Sequence, residues 1–94
     1  MIILQIEHPV ASYEGWKKVF DSDPAGRQQN GVTRYKILRK VDDPNYVIID
    51  LEFDKLNEAE NFLTSLRKFW DRVEGSVMNN PVARITEVVE SKEY

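Results

Sequence analysis

Two carboxylates and two arginines in this sequence have the side-chain types needed for acid–base chemistry on a bound molecule. Glu7 or Asp50 could accept a proton, and Arg39 or Arg84 could stabilise a developing oxyanion. Gln5, two residues before Glu7, adds a polar amide. We therefore predict Arg39, Asp50 and Glu7 as catalytic residues, provided that the fold brings them to one surface.

Other kinds of chemistry have weaker support in the sequence. The only histidine, His8, has no serine nucleophile beside it, so we interpret it as a hydrogen-bonded core or loop residue in preference to a general base. The acidic pairs Asp21/Asp23 and Asp42/Asp43 stand beside prolines, where caps and turns are typical. Zero cysteines exclude thiolate metal sites and cysteine nucleophiles. We expect neither a metal ion nor a cofactor.

Length and charge indicate one small domain that spans residues 1–94. The 13 Lys and Arg residues against 16 Asp and Glu residues give a formal net charge of −3, and 41% of positions are hydrophobic. A chain of 94 residues buries a marginal core, so self-association would add useful burial. The N-terminal segment resembles neither a signal peptide nor a membrane span, and we expect a cytoplasmic protein without a membrane partner.

The first half of the chain predicts a strand, a helix and a short helical piece. Residues 2–8 alternate between a cleaner apolar set and a polar set, which indicates a strand. Ser12 is a good N-cap for a helix that begins near Tyr13, with Trp16, Val19 and Phe20 on one apolar stripe. A second short helical piece is expected over residues 24–29.

The second half predicts a hairpin, a long helix and a last strand. Strands are expected over residues 32–41 and 46–53, joined by a turn at residues 42–45. Asn57 and Glu60 have capping-box spacing before the strongest helical stripe, which ends near Trp70. Residues 75–81 predict a loop, residues 82–89 a strand and residues 90–94 a polar tail.

This order of elements predicts an α+β, ferredoxin-like split βαββαβ fold. Its four-stranded antiparallel sheet carries both helices on one face, with the first and third strands in the centre. Strand parity then places a mixed set on the other face: Ile3, Gln5, Glu7, Tyr46, Ile48, Asp50 and Glu52. A one-residue choice of register adds either Tyr35, Ile37 and Arg39 or Arg34, Lys36 and Leu38. The last strand adds either Arg84, Thr86 and Val88 or Ala83, Ile85 and Glu87.

The second sheet face has two readings. It either faces water, as one side of an antiparallel sheet can, or closes against a second copy around a polar cavity. In the second case its carboxylates need cationic partners or raised pKa values. The residues predicted to line or approach that cavity are Gln5, His8, Tyr35, Tyr46, Ile48, Glu52, Trp70 and Arg84. The carboxylates on this face argue against nucleic acid as a partner.

Three segments carry a resemblance to a known family. They are the run HPVASYEGWKKVFD at residues 8–21, the hairpin residues 42–44, and Phe53 leading to Ala59, Phe62 and Leu63. Together they resemble the dimeric α+β barrel superfamily, and within it the small antibiotic biosynthesis monooxygenase-like domains. The resemblance implies a homodimer in which two ferredoxin-like sheets pair into a barrel.

The same resemblance implies several activities. The superfamily includes cofactor-free oxygenases of aromatic polyketides, haem-degrading enzymes, isomerases and members with no known activity. The haem-degrading branch depends on a histidine in the second helix, and this sequence has none after His8. Residue types used by the oxygenases are present in Gln5, Tyr35, Arg39, Trp70 and Arg84.

The leading hypothesis is therefore a homodimer that binds a small, aromatic or otherwise apolar molecule in the barrel cavity, with cofactor-independent monooxygenation as the activity. A non-catalytic dimeric binding or accessory protein is one alternative. A cofactor-free isomerase or cyclase is the other.

Overall fold

A computed structural model describes residues 1–73 and 81–94 of the chain. The elements are β1 (Ile2–Pro9), α1 (Tyr13–Ser22), a 3-10 turn (Gln28–Asn30), β2 (Val32–Lys40), β3 (Asp43–Phe53), α2 (Leu56–Val73) and β4 (Val82–Glu87). The predicted order of strands and long helices is confirmed. Apart from Pro81, the predicted loop at 75–81 lies outside the described residues.

The four strands form one antiparallel sheet in the order β2-β3-β1-β4. As predicted, β1 and β3 are the central pair. Helix α1 packs on β3, and α2 packs on β1 and β3, from the same side. The fold is therefore the predicted ferredoxin-like α+β arrangement, and one sheet face remains uncovered by helices.

The hairpin between β2 and β3 differs from the prediction. The strands pair up to Lys40 and Asp43, so the connection is two residues long and residues 43–45 belong to β3. An irregularity in register after Arg39 absorbs the extra residues of β3. Asp43, Pro44 and Asn45 are residue types typical of turns, but here they form the irregular first part of β3.

Capping residues set the two ends of α1. The Ser12 hydroxyl accepts a hydrogen bond from the Gly15 amide at 3.2 Å, which confirms Ser12 as the N-cap. At the other end Asp23 adopts a left-handed conformation with φ of 53°, and its carboxylate accepts the Arg27 amide at 2.9 Å. The predicted helical piece at 24–29 is mostly irregular and becomes a 3-10 turn only at Gln28–Asn30.

The core lies between the helices and the sheet. The inward-facing positions of β1 and β3 meet the apolar stripes of both helices, which accounts for the alternation seen along each strand. The buried apolar residues are Leu4, Ile6, Val10, Trp16, Val32, Val47, Ile49, Leu51, Phe53, Ala59, Phe62 and Trp70. Neither described helix has the combination of length and apolar character that a membrane crossing requires.

Candidate functional site

The sheet face away from the helices, termed the open face, is defined by the pairing of the strands. Gln5 lies opposite Asp50 on β3 and Arg84 on β4, so the three side chains share this face. On β2 the register places Lys36 opposite Asp50 and Arg34 opposite Glu52. The open face carries Ile3, Gln5, Glu7, Arg34, Lys36, Leu38, Tyr46, Ile48, Asp50, Glu52, Val82, Arg84 and Thr86.

Four of these side chains form a continuous polar network. Arg84 donates to the Glu7 carboxylate at 2.8 Å and also to the Gln5 amide oxygen. The amide nitrogen of Gln5 donates in turn to Asp50 Oδ1 at 2.9 Å. The structure thus brings together Gln5, Glu7, Asp50 and Arg84, which were all predicted as site residues. Within the network each carboxylate already accepts a hydrogen bond.

Two predicted site residues on β2 lie on the helix side of the sheet, so their predicted place on the second face is wrong. Tyr35 is opposite Leu51 and Arg39 is opposite Val47, both of which point towards the core. The cause is a bulge between Val32 and Arg34 that sets the parity of the strand. Of the two registers left open by the sequence, the structure has the one with Arg34, Lys36 and Leu38 on the open face.

Aromatic contacts of Tyr35 and Arg39 confirm their side of the sheet. The Tyr35 ring meets the Phe20 ring edge-on at 5.1 Å between centroids. The Arg39 guanidinium lies 4.6 Å from the centroid of the Tyr13 ring. Arg39 therefore stands across the sheet from Glu7 and Asp50, and the predicted catalytic trio does not converge on one surface.

His8 and Trp70 also lie on the helix side, which corrects their predicted place near a cavity on the second face. His8 is opposite Val47 in the sheet and only 1% exposed. Trp70 belongs to the apolar stripe of α2 and is buried. Both positions follow from periodicity, since His8 is an even residue of β1 and Trp70 stands eight residues after Phe62 on α2.

A cavity lies between the helices and the sheet, on the opposite side from the predicted cavity. We term it the helix-side cavity; its volume is about 80 Å³. Its wall is mainly apolar and aromatic, with residues from β1, β3, both helices and the segment after α1. The lining residues are Ile6, His8, Trp16, Val19, Phe20, Asp23, Pro24, Ala25, Arg27, Ile49, Leu51, Phe62, Leu66, Phe69 and Trp70.

Arg27 and Asp23 form the charged part of the cavity wall and also line a surface groove beyond it. The Arg27 guanidinium lies 3.8 Å from the centroid of the Phe20 ring and donates to the Phe20 carbonyl oxygen at 2.8 Å. Its Nη1 atom is 3.5 Å from Asp23 Oδ1. Arg27 is thereby held against the aromatic wall, where it separates the cavity from the groove.

His8 is the polar group at the inner end of the cavity. Its imidazole meets the Trp16 ring edge-on, with 6.1 Å between centroids. Burial lowers the pKa of His8 below its usual value of 6.5, and the hydrogen bond between Nδ1 and the Pro9 carbonyl only partly opposes that effect. The imidazole is therefore neutral at pH 7, so one ring nitrogen can donate a hydrogen bond and the other can accept one.

Several cavity residues were not identified from the sequence as functional. Trp16 and Phe20 were assigned to the apolar stripe of α1, and Arg27 was assigned to a short helical piece. The stripe does predict which residues face inward, but it does not show where helix and sheet separate enough to leave space. Arg27 follows Asp23 by four residues, which could have indicated an ion pair but not its place in a cavity wall.

The described residues offer little support for a bound metal or haem. Within residues 1–73 and 81–94, no three His, Cys, Asp or Glu side chains stand together as metal ligands would. Helix α2 contains no histidine, so the chain lacks the second-helix iron ligand implied by the resemblance to haem-degrading proteins. We therefore assign no step to a haem group.

The fold is one found in small α+β domains, and solved structures with this fold match the chain over nearly its whole length. One is SnoaB from Streptomyces nogalater, described as a cofactor-independent oxygenase, with a TM-score of 0.75, 12% identity and coverage of 96% of this chain and 94% of that one. A second, described only as an antibiotic biosynthesis monooxygenase, has a TM-score of 0.66, 9% identity and coverage of 96% and 100%.

A third similar structure is a single-site mutant of MhuD, described with two manganese protoporphyrin IX molecules bound per active site. Its TM-score is 0.70 at 14% identity, and the match covers 100% of both chains. Neither a scan against protein-family models nor a search of curated proteins found a match. The chain thus has the fold of the antibiotic biosynthesis monooxygenase domains, which confirms the predicted resemblance at the level of fold.

Proposed function

We propose that the protein is a homodimer that binds a small, aromatic or otherwise apolar molecule in the helix-side cavity of each copy. The observation that carries this proposal is the cavity itself, whose wall combines Trp16, Phe20, Phe62 and Trp70 with one inner polar group, His8. Concave, mainly apolar sites with few polar groups are the usual form of small-molecule sites.

The proposed activity is cofactor-independent monooxygenation of a phenolic compound to a quinone, with O2 as the oxidant. One oxygen atom enters the substrate, and the other leaves as water with the two hydrogens and two electrons that the substrate gives up. The similarity to SnoaB supports this activity, because that structure is described as a cofactor-independent oxygenase. The open-face network gives it no support, since Glu7, Asp50 and Arg84 already hydrogen-bond within the sheet face. Any acid–base step is therefore assigned to the cavity side, where His8 is a neutral proton acceptor.

A blocking variant tests ligand binding in the cavity. Leu66 lines the cavity from α2, so Leu66→Phe fills part of the space, whereas Thr64→Phe adds the same ring at an exposed position of the same helix. Isothermal titration calorimetry with single-ring aromatics is expected to show binding that Leu66→Phe weakens at least tenfold and Thr64→Phe leaves unchanged. Absence of binding to the wild type, or equal effects of the two variants, would overturn the proposal.

Oxygen uptake separates the enzyme from the second candidate, a non-catalytic dimeric binding or accessory protein. The specific observation in favour of the second candidate is the hydrogen bonding among Gln5, Glu7, Asp50 and Arg84. In that candidate these groups take no part in chemistry and only set how two copies align at the dimer interface. A panel of polyphenols that drives oxygen consumption supports the oxygenase. Binding without oxygen consumption or other turnover supports the accessory protein.

The homodimer is supported by the open face and by the small core. Leu38 and Val82 stand 41% and 49% exposed on the outer strands of that face, and a second copy would cover them. Light scattering after size-exclusion chromatography is expected to give a dimer at micromolar concentration. Ile48→Glu, in the centre of the open face, should produce monomers, and Thr64→Glu should not. A wild-type monomer would contradict the barrel.

A further inference from the structure

The imidazole of His8 holds a buried nitrogen that has no partner. Among the described residues, His8 Nε2 is the only buried side-chain nitrogen or oxygen without a hydrogen bond. Buried polar groups are rarely left in this state, because the lost hydration is not replaced. An unpaired atom of this kind beside a cavity indicates a place where a ligand supplies the missing partner.

The other ring nitrogen determines which kind of partner is missing. His8 Nδ1 lies 3.1 Å from the Pro9 carbonyl oxygen, which can only accept a hydrogen bond. Nδ1 must therefore carry the proton and donate it. In the neutral ring Nε2 is then left with a lone pair, and its missing partner is a donor.

No polar group of the described cavity wall lies within hydrogen-bond distance of Nε2, so none of them is that donor. The Arg27 guanidinium is held at the Phe20 carbonyl oxygen, and the Asp23 carboxylate only accepts, here from the Arg27 amide. Both belong to the segment after α1 and hold its turn together. The indole ring of Trp16 meets His8 edge-on without a hydrogen bond between them. The donor is therefore expected from the bound molecule.

We propose that His8 Nε2 accepts a hydrogen bond from a hydroxyl or N–H group of a small neutral aromatic ligand and so determines which ligands the cavity prefers. This inference rests on the proposed binding function of the cavity. The ligand class is a ring with one donor, such as a phenol, an aniline or an indole. A ring of the same size without a donor would leave Nε2 unpaired and bind less well.

Phenol and toluene are suitable probes because they differ by a hydroxyl in place of a methyl group. Calorimetry on the tag-free wild type and on His8→Phe gives the affinity of each protein for phenol and for toluene. The ratio of the two affinities, termed the preference for phenol, is then compared between the two proteins. This comparison cancels the different hydration of the two probes. We expect His8→Phe to reduce the preference for phenol about tenfold, the usual worth of a neutral hydrogen bond with an otherwise unpaired group.

A matched variant separates hydrogen bonding from cavity shape. Ile6 lines the same cavity two residues earlier on β1, so Ile6→Val changes the shape of the wall but not its polarity. We expect Ile6→Val to alter the affinity of both probes alike and to leave the preference for phenol within about twofold of wild type, because the hydrogen bond is retained.

Nitrogen NMR of the wild type provides a measurement that needs no variant. The chain has one histidine, so the imidazole nitrogen signals belong to His8 alone. In the free protein the Nε2 signal should have the position of an unprotonated nitrogen without a hydrogen bond. Phenol is expected to shift it towards the hydrogen-bonded position, and toluene is expected to leave it in place.

The outcomes distinguish the two proposals. If neither probe binds, the proposed binding function fails, and this inference fails with it. If both probes bind but His8→Phe keeps the wild-type preference, or phenol leaves the Nε2 signal in place, the cavity remains a binding site and the role of His8 is overturned. An Nε2 that is already hydrogen-bonded to water in the free protein, and stays so with phenol, also overturns it.

Discussion

The two faces of the sheet differ in how completely their polar side chains are hydrogen-bonded. On the open face Gln5, Glu7, Asp50 and Arg84 satisfy one another through side-chain hydrogen bonds. On the helix side, among the described residues, the buried imidazole of His8 has one nitrogen without a hydrogen bond, whereas Arg27 and Asp23 in the same cavity wall are paired with each other. Charged residues that hydrogen-bond to one another have few groups left for a ligand. A single unpaired polar atom beside a cavity can still form a hydrogen bond with a bound molecule.

The largest difference between the faces should appear in stability. Ile49 and Ile48 are neighbours on β3, but Ile49 is buried under the helices and Ile48 is half-buried on the open face. We expect Ile49→Ala to lower the free energy of unfolding by about 2–5 kcal/mol, the usual cost of a cavity in a core, and Ile48→Ala by about 1 kcal/mol or less in dilute protein. Urea denaturation measures both.

The concentration dependence of these two variants sharpens the same comparison. If a second copy covers the open face, the cost of Ile48→Ala should rise with protein concentration, because the dimer is then part of the folded state. The cost of Ile49→Ala should not depend on concentration in this way. If Ile48→Ala and Ile49→Ala lowered the free energy of unfolding equally in dilute protein, the two faces would be packed to the same extent.

The next largest effect is expected at the cavity wall. Arg27→Ala removes the guanidinium from the Phe20 ring and its hydrogen bond to the Phe20 carbonyl oxygen. We expect a loss of about 1–2 kcal/mol in the free energy of unfolding, measured by circular dichroism in urea. Arg34→Ala, at an exposed position of the open face, is the control and should cost less. A larger loss for Arg34→Ala would contradict the structural role of Arg27.

The pH dependence of stability should come partly from His8. Because the pKa of His8 is lowered in the folded protein, the unfolded chain binds a proton more readily as the pH falls through 6.5, and the folded state loses stability. Thermal unfolding between pH 8 and about pH 5.5 should show this loss. The slope should become smaller in His8→Asn, which cannot titrate. An unchanged slope in that variant would assign the effect to other groups.

The smallest effect is expected within the open-face network. Arg84 and Glu7 form a partly exposed pair at 2.8 Å, and such pairs typically contribute about 0–1 kcal/mol. A double-mutant cycle with Arg84→Ala and Glu7→Ala should give a coupling energy in that range, reduced further by high salt. A coupling of several kcal/mol in dilute protein would mean that the network is far less solvated than the structure indicates.

The sequence was sufficient for the fold and for one of the two faces. The alternation along β1 and β3 correctly assigned Gln5, Glu7 and Asp50 to the open face because the period of a strand is fixed. The same alternation placed His8 with Leu4 and Ile6, and its burial agrees with the interpretation as a core residue. The cytoplasmic location and the absence of a nucleic-acid partner stay predictions.

The positions of Arg39 and Tyr35 could not be determined from the sequence. A bulge between Val32 and Arg34 determines which side chains of β2 point inward, and bulges leave no clear pattern in residue types. The helix-side cavity could not be predicted either, because its volume depends on how closely the helices dock on the sheet. Arg27 became part of its wall through the left-handed turn at Asp23.

Trp16 and Trp70 are the only two tryptophans of the chain, and both line the helix-side cavity. Indole emission depends on the polarity of the surroundings, so the natural tryptophan fluorescence of the protein originates entirely from the wall of this one site. A molecule that enters the cavity would alter that emission directly. The unlabelled chain therefore carries its own optical reporter, which makes it suitable for screening collections of compounds for the natural ligand.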